Sequence, residues 1–102
     1  MTIVNQLFEA VYYGTDLEFK YGANYYFINS GRVNDGNTDK HSITVFKSKE
    51  SFYEGENVEE SIEIYSSTKE NYNDNTNELF EAKIFDGKTF YEIVDSITEI
   101  SY

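Results

Sequence analysis

The chain has no cysteine, and that absence excludes a disulfide framework, a thiolate zinc site and a cysteine nucleophile together. It also fits a reducing compartment. Basic residues are scarce: eight Lys and Arg stand against nineteen Asp and Glu, for a formal net charge of −11 over 102 residues. Nucleic acid and anionic lipid are polyanions, so direct contact with either is disfavoured and a basic partner is favoured. No apolar run approaches the roughly 18 residues of a membrane span. The opening MTIVNQLFEAVYYG lacks a basic segment and interrupts its apolar stretch with Asn5, Gln6 and Glu9, so no signal peptide is expected. No Asn-x-Ser/Thr sequon occurs, and the expected location is the cytoplasm.

Catalytic and metal signatures are equally thin. His41 is the only histidine, and no Ser-His-acid spacing is recognisable around it. The six glycines, at 14, 22, 31, 36, 55 and 87, form no phosphate-cradling loop. Asp35, Asn37 and Asp39 open like a calcium loop, but Lys40 holds the sixth position where glycine is needed and Phe46 the twelfth where glutamate is needed. Asp74 and Glu78 in NDNTNE follow no ligand pattern. With nineteen acids some carboxylate pairs fall close by chance, so a pair alone does not indicate glycoside hydrolysis. The expectation is a protein that is not an enzyme and uses no cofactor or metal.

What the chain does have is ring surface. Apolar residues make up 39%, with ten Tyr and eight Phe, enough for one core in a chain of single-domain length. Thr2 followed by Ile3, Val4, Leu7, Phe8, Val11 and Tyr12 predicts a helix with Thr2 as N-cap and Gly14 just past its end. DLEFKY and NYYFIN around Gly22-Ala23 predict a type II′ hairpin that pairs Phe19 with Tyr26 and Leu17 with Ile28. The other face would carry Glu18, Lys20, Tyr25 and Phe27. Residues 30–40 read as a turn-rich connection, SITVFK as a strand, and SIEIY as a half-buried strand with Ile62 and Ile64 alternating against Glu63 and Tyr65. Residues 67–78 read as a long mobile loop, and LFEAKIF as a strand ending in the Asp86-Gly87 turn. Thr89 and Glu92 form a capping box ahead of the stripe Phe90, Ile93, Val94 and Ile97, and TEISY closes the chain as a strand. The fold class is α+β: one domain over 1–102, an antiparallel sheet of four to six strands, and an N-terminal and a C-terminal helix packed on one face.

Charge is not spread evenly. Residues 1–48 hold five acids and four bases, net −1, whereas residues 49–102 hold fourteen acids and four lysines, net −10. The densest stretch, ESFYEGENVEESIEIY (50–65), has six glutamates and no base before Lys69. On an extended segment residues i and i+2 lie about 6.6 to 6.8 Å apart on one face, comparable to consecutive phosphates along a strand. Interleaved tyrosines supply flat amphipathic rings of the kind enriched where proteins dock. The candidate partner-binding residues are Glu50, Tyr53, Glu54, Glu56, Glu59, Glu60, Glu63, Tyr65, Glu70, Tyr72, Asp74 and Glu78.

In size, acidity, lack of cysteine and richness in Asn, Tyr and Glu, with this stretch and the Asn-rich 67–78 as the nearest local features, the chain resembles small acidic inhibitors from phages and mobile elements. Anti-CRISPR proteins that block Cas9 and DNA-mimic anti-restriction proteins are among them. The resemblance is one of type and carries no motif. It implies a stoichiometric inhibitor in the cytoplasm of a bacterial host, binding the basic nucleic-acid surface of a defence nuclease, Cas9-type effectors favoured, without touching nucleic acid or membrane. Two other classes stand beside it: a protein-binding accessory domain using Tyr25 and Phe27 on an exposed sheet face, and a small-molecule or cation-binding domain with carboxylates in a pocket.

Overall fold

The computed structural model describes residues 2–34, 36–52 and 61–102. Helix α1, Ile3–Tyr12, begins where the Thr2 hydroxyl accepts the Asn5 N–H at 3.2 Å, and buries Leu7, Ala10 and Val11. It stops at Gly14, whose φ of +82° suits a residue without a Cβ. A Cβ there would also sit 3.4 Å from the Gly31 Cα, so the turn after α1 lies directly on the sheet.

Strands β1 (Leu17–Tyr21), β2 (Asn24–Asn34), β3 (Asp39–Ser48), β4 (Ile62–Lys69) and β5 (Thr98–Ser101) form one antiparallel sheet in the order β4-β3-β2-β1-β5. The first hairpin has the expected register, Leu17 opposite Ile28 and Phe19 opposite Tyr26, with positive φ at Gly22 and not at Ala23, as a type II′ turn requires. Residues 30–40 are not a connection. Ser30, Gly31 and Arg32 continue β2 and pair with Ile43, Ser42 and His41, so the long in-register ladder overrides the local turn preference of Ser-Gly.

Helix α2, Tyr72–Glu81, replaces most of the loop expected over 67–78 and takes the first three residues of LFEAKIF, whose expected strand is reduced to an isolated bridge between Phe85 and Lys88. Residues 67–69 belong to β4. Asn71 caps α2 by accepting the Asp74 N–H at 2.9 Å, and the buried stripe is Asn75, Thr76, Leu79 and Phe80. The helical period was hidden because two of these four residues are polar. The chain then makes a tight turn in which Phe85 and Lys88 exchange backbone bonds at 3.1 Å around Asp86 (φ 59°) and Gly87 (φ 77°). Two consecutive positive φ values define a type I′ turn. The expected capping box is present: Thr89 accepts the Glu92 N–H while the Glu92 carboxylate accepts the Thr89 N–H, opening helix α3 (Phe90–Ile93). A short 3₁₀ turn over Val94–Ser96 ends the helical stretch before Ile97.

One hydrophobic cluster joins these elements. Leu17 and Phe19 of β1, Tyr26 and Ile28 of β2, and Ile43 and Val45 of β3 pack with Leu7, Val11, Leu79, Phe80, Phe85, Phe90 and Ile93. Its centre is aromatic: the Phe90 ring lies 4.5 Å from Phe80, 5.7 Å from Phe19 and 6.0 Å from Phe85 between centroids. Tilted and edge-on pairs of this kind add about 0.5–1.5 kcal/mol each beyond their burial.

Candidate partner-binding face

The acidic candidates divide by sheet geometry. Residues directly opposite on neighbouring strands share a face, so Leu17, Ile28, Val45 and Tyr65 form one row across the sheet, and Glu18, Phe27, Phe46 and Glu63 form the next. The register slips between Val45 and Phe46, leaving Ile64 as the extra residue of a bulge. Tyr65 and Glu63 therefore lie on opposite faces, although two residues apart in a regular strand they would share one. The expected alternation of Ile62 with Ile64 is also broken: Ile62 is 64% exposed, while Ile64 and Tyr65 pack against the core.

On the Tyr65 side, β4 and α2 frame a shallow acidic groove of about 550 Å³ lined by Tyr65, Asp74, Asn77, Glu78 and Glu81. The half-buried Tyr65 donates its phenol O–H to Glu78 Oε1 at 3.3 Å, and the Lys69 ammonium lies 2.9 Å from Glu78 Oε2. Hydrogen bonding and charge attraction from Lys69 hold the Glu78 carboxyl below its ordinary value, and the same pair raises Lys69. Burial, with the Glu78 charge beside it, pushes the Tyr65 phenol up, so it stays protonated as a donor. Asp74 and Glu81 are exposed and have no ion pair among the described residues.

Three of the candidate residues thus meet in one groove: Tyr65, Asp74 and Glu78. Asn77 and Glu81 join them; Asn77 was missed because a loop reading of 67–78 gives no face to assign, and Glu81 because the strand reading of LFEAKIF separated it from Asp74 and Glu78. The available signal was Asn71 as a cap with Tyr72, Asn75, Thr76, Leu79 and Phe80 following at i, i+3, i+4, i+7 and i+8. Glu63 is exposed on the other face, Glu50 is exposed in the bend after β3 with its N–H donated to Ser48 Oγ, and Glu70 is exposed just ahead of the α2 cap. Tyr53, Glu54, Glu56, Glu59 and Glu60 lie outside the described residues.

The second face holds the start of the glutamate-rich stretch in place. Glu18 is buried, 2% exposed, and its carboxylate accepts the Ser51 hydroxyl and the Phe52 N–H, both at 2.6 Å. Phe52 stacks on Phe27 at 5.0 Å. Tyr25 donates to Glu99 Oε2 at 3.0 Å, so both rings proposed as an exposed docking pair have contacts within the chain.

Tyr72 is separated from the acidic groove. It stacks on the buried His41 ring at 4.7 Å and 27°, in a cleft it shares with Tyr12 and Tyr13. His41 is 0% exposed. Its Nε2 lies 2.9 Å from the Val11 carbonyl and its Nδ1 lies 3.1 Å from the Asn75 amide nitrogen. A carbonyl only accepts and an amide NH₂ only donates, so the Nε2–H tautomer satisfies both contacts. Asn75 also donates to the His41 carbonyl at 2.7 Å and accepts from Ser67 Oγ at 2.7 Å. This histidine is a structural group with both nitrogens occupied.

No family model matches the chain, and no curated protein or solved structure matches it either.

Proposed function

We propose that the chain is a stoichiometric protein inhibitor that occupies a basic, nucleic-acid-binding surface of a bacterial defence nuclease, of Cas9 type, through the acidic face of α2 and β4. The observation that carries this reading is the line of Asp74, Glu78 and Glu81 along α2 with Tyr65 beside it. At a rise of 1.5 Å per residue, acids four apart are about 6 Å apart along the axis, comparable to phosphates on one strand. Folding accounts for part of that row, since Asp74 in the first turn suits the helix dipole and Glu78 pairs with Lys69, but Glu81 has no ion pair among the described residues. Like charges at i,i+4 destabilise a helix by roughly 0.2–0.5 kcal/mol, and Glu81 stands at the C-terminal end, where the helix dipole disfavours an anion and no basic residue lies in the last turn. Surfaces that hold phosphates and read guanine edges do so with Arg and Lys, so a fixed carboxylate row competes for them without chemistry and with charge-accelerated association.

The test is displacement of DNA from a guide-loaded Cas9-type nuclease by the titrated protein, at low and at moderate salt. Near-stoichiometric displacement that weakens with salt is expected, and it should be lost in the combined variant Asp74→Asn, Glu78→Gln, Glu81→Gln. Lys69→Gln carries the opposite sign: it removes the cation facing Glu78 and should tighten binding. Full inhibition by the triple variant and by a variant with Glu54, Glu56, Glu59, Glu60 and Glu63 all changed to Gln would sink the acidic-face mechanism.

A further inference from the structure

A second site lies apart from the acidic groove, and it has the opposite chemistry. The end of α1, the last part of β2, the first part of β3 and the first residue of α2 border a cleft of about 560 Å³ walled by Tyr12, Tyr13 and Tyr72, with His41 and Gly31 at its base and Arg32 at its edge. That volume suits a small ligand. The walls are neighbouring rings: Tyr12 lies 4.9 Å from Tyr13 and 5.9 Å from Tyr72 between centroids. Tyr72 is backed by His41, which is locked at both nitrogens. Among the described residues no hydrogen bond engages the hydroxyls of Tyr12, Tyr13 or Tyr72, and Tyr13 is 76% exposed. Such a surface favours a planar ring, which can stack while its edge bonds to free hydroxyls.

Charge selects between planar ligands. The C-terminal end of α1 and the N-terminal end of α2 both border the cleft, so their dipoles oppose each other there. The sign is then set by Arg32, the only arginine in the chain. Its guanidinium is 69% exposed and contacts Asp39 only at 3.8 Å, too long for a hydrogen bond, leaving its five N–H donors for a ligand. A cation caged by the tyrosines would face this guanidinium; an anion would pair with it. We propose that the cleft binds a planar aromatic or heteroaromatic ring carrying an anionic group, the ring held among Tyr12, Tyr13 and Tyr72 and the anion held by Arg32.

The test is amide chemical-shift titration of the full chain with two probes, adenosine monophosphate and phenyl phosphate, which separate a nucleobase from a benzenoid ring. Adenosine and inorganic phosphate are the half-ligand controls. Saturable shifts at Tyr12, Tyr13, Gly31, Arg32 and Tyr72 are expected with at least one probe, with each half-ligand binding at least about tenfold more weakly, since a charge-assisted contact is worth about 1.5–3 kcal/mol. Arg32→Gln, on the exposed end of a hairpin, should weaken binding about tenfold or more by the same argument. Asp39→Asn, which frees Arg32, should tighten it. Three results would each overturn the proposal: neither probe moving these amides at millimolar concentration, adenosine binding as tightly as its monophosphate together with phosphate-independent shifts, or Arg32→Gln binding as tightly as the parent. None of these bears on displacement of DNA by the acidic face, so the two readings stand or fall separately.

Discussion

At the scale of single residues, the informative groups are polar side chains buried where apolar ones would be cheaper. Asn75 ties β3 and β4 to α2 through His41 and Ser67. Removing it leaves the His41 carbonyl and Nδ1 and the Ser67 hydroxyl short of partners, so Asn75→Ala should cost about 1–3 kcal/mol in denaturant unfolding. Burial lowers the His41 pKa from 6.5, partly opposed by its bond to the Val11 carbonyl. The folded chain therefore resists this proton more than the unfolded chain does. Stability from this group is fully present above pH 6.5 and is lost as pH falls from there toward the lower folded-state value. Acidification meanwhile relieves repulsion among the carboxylates, an effect of opposite sign. The comparison of melting temperature against pH for the parent and for His41→Gln isolates the histidine, and the decline just below pH 6.5 should be absent from the variant. Glu18→Gln should lower hydrogen-exchange protection of the Phe52 N–H, because the charged acceptor at 2.6 Å is replaced by a neutral amide.

Elements with a strong local cause were legible in the sequence. Thr2 and Gly14 bound α1, Gly22-Ala23 set the first hairpin and its register, Asp86-Gly87 made the type I′ turn, and Thr89 with Glu92 capped α3. At Asn75 and Gly31, both misread, a partner distant in the chain decided the outcome. The polar positions Asn75 and Thr76 of α2 are buried because Asn75 meets His41, 34 positions earlier in the chain, and Ser67 on β4, while Thr76 bonds the Tyr72 carbonyl at 2.8 Å. Gly31 is a strand residue because Ser42 lies opposite it. A charge reversal separates the cost of the acidic helix from its use. Glu81→Lys should stabilise α2 by about 0.3–1 kcal/mol by satisfying the helix dipole, and should weaken DNA displacement. Improved melting together with undiminished inhibition would mean that this end of α2 does not touch the target.

For the molecule as a whole, the core and the surface respond to different conditions. Phe90 is fully buried at the centre of the ring cluster, so Phe90→Ala should cost about 3–5 kcal/mol, with any loss of inhibition following unfolding and not preceding it. The net charge of −11 predicts a split response to salt. Screening reduces self-repulsion and should raise the melting temperature, while the same screening should weaken capture of a basic partner. Melting and DNA displacement measured over one salt series test both signs together.

Composition alone determined that the chain can form an aromatic core and that it carries a net charge of −11, because those properties are sums over residues. Caps and tight turns were also determined locally, since each depends on side chains or φ preferences within four residues. The tertiary structure decided which acids lie together. One bulge at Ile64 reverses the parity of β4 and sends Glu63 and Tyr65 to opposite faces, and the packing of α2 beside that strand brings Asp74, Glu78 and the unsuspected Glu81 to Tyr65. Spacing in a sequence gives the interval between charges, but the face they occupy follows from the register of the sheet, which is fixed by contacts far apart in the chain.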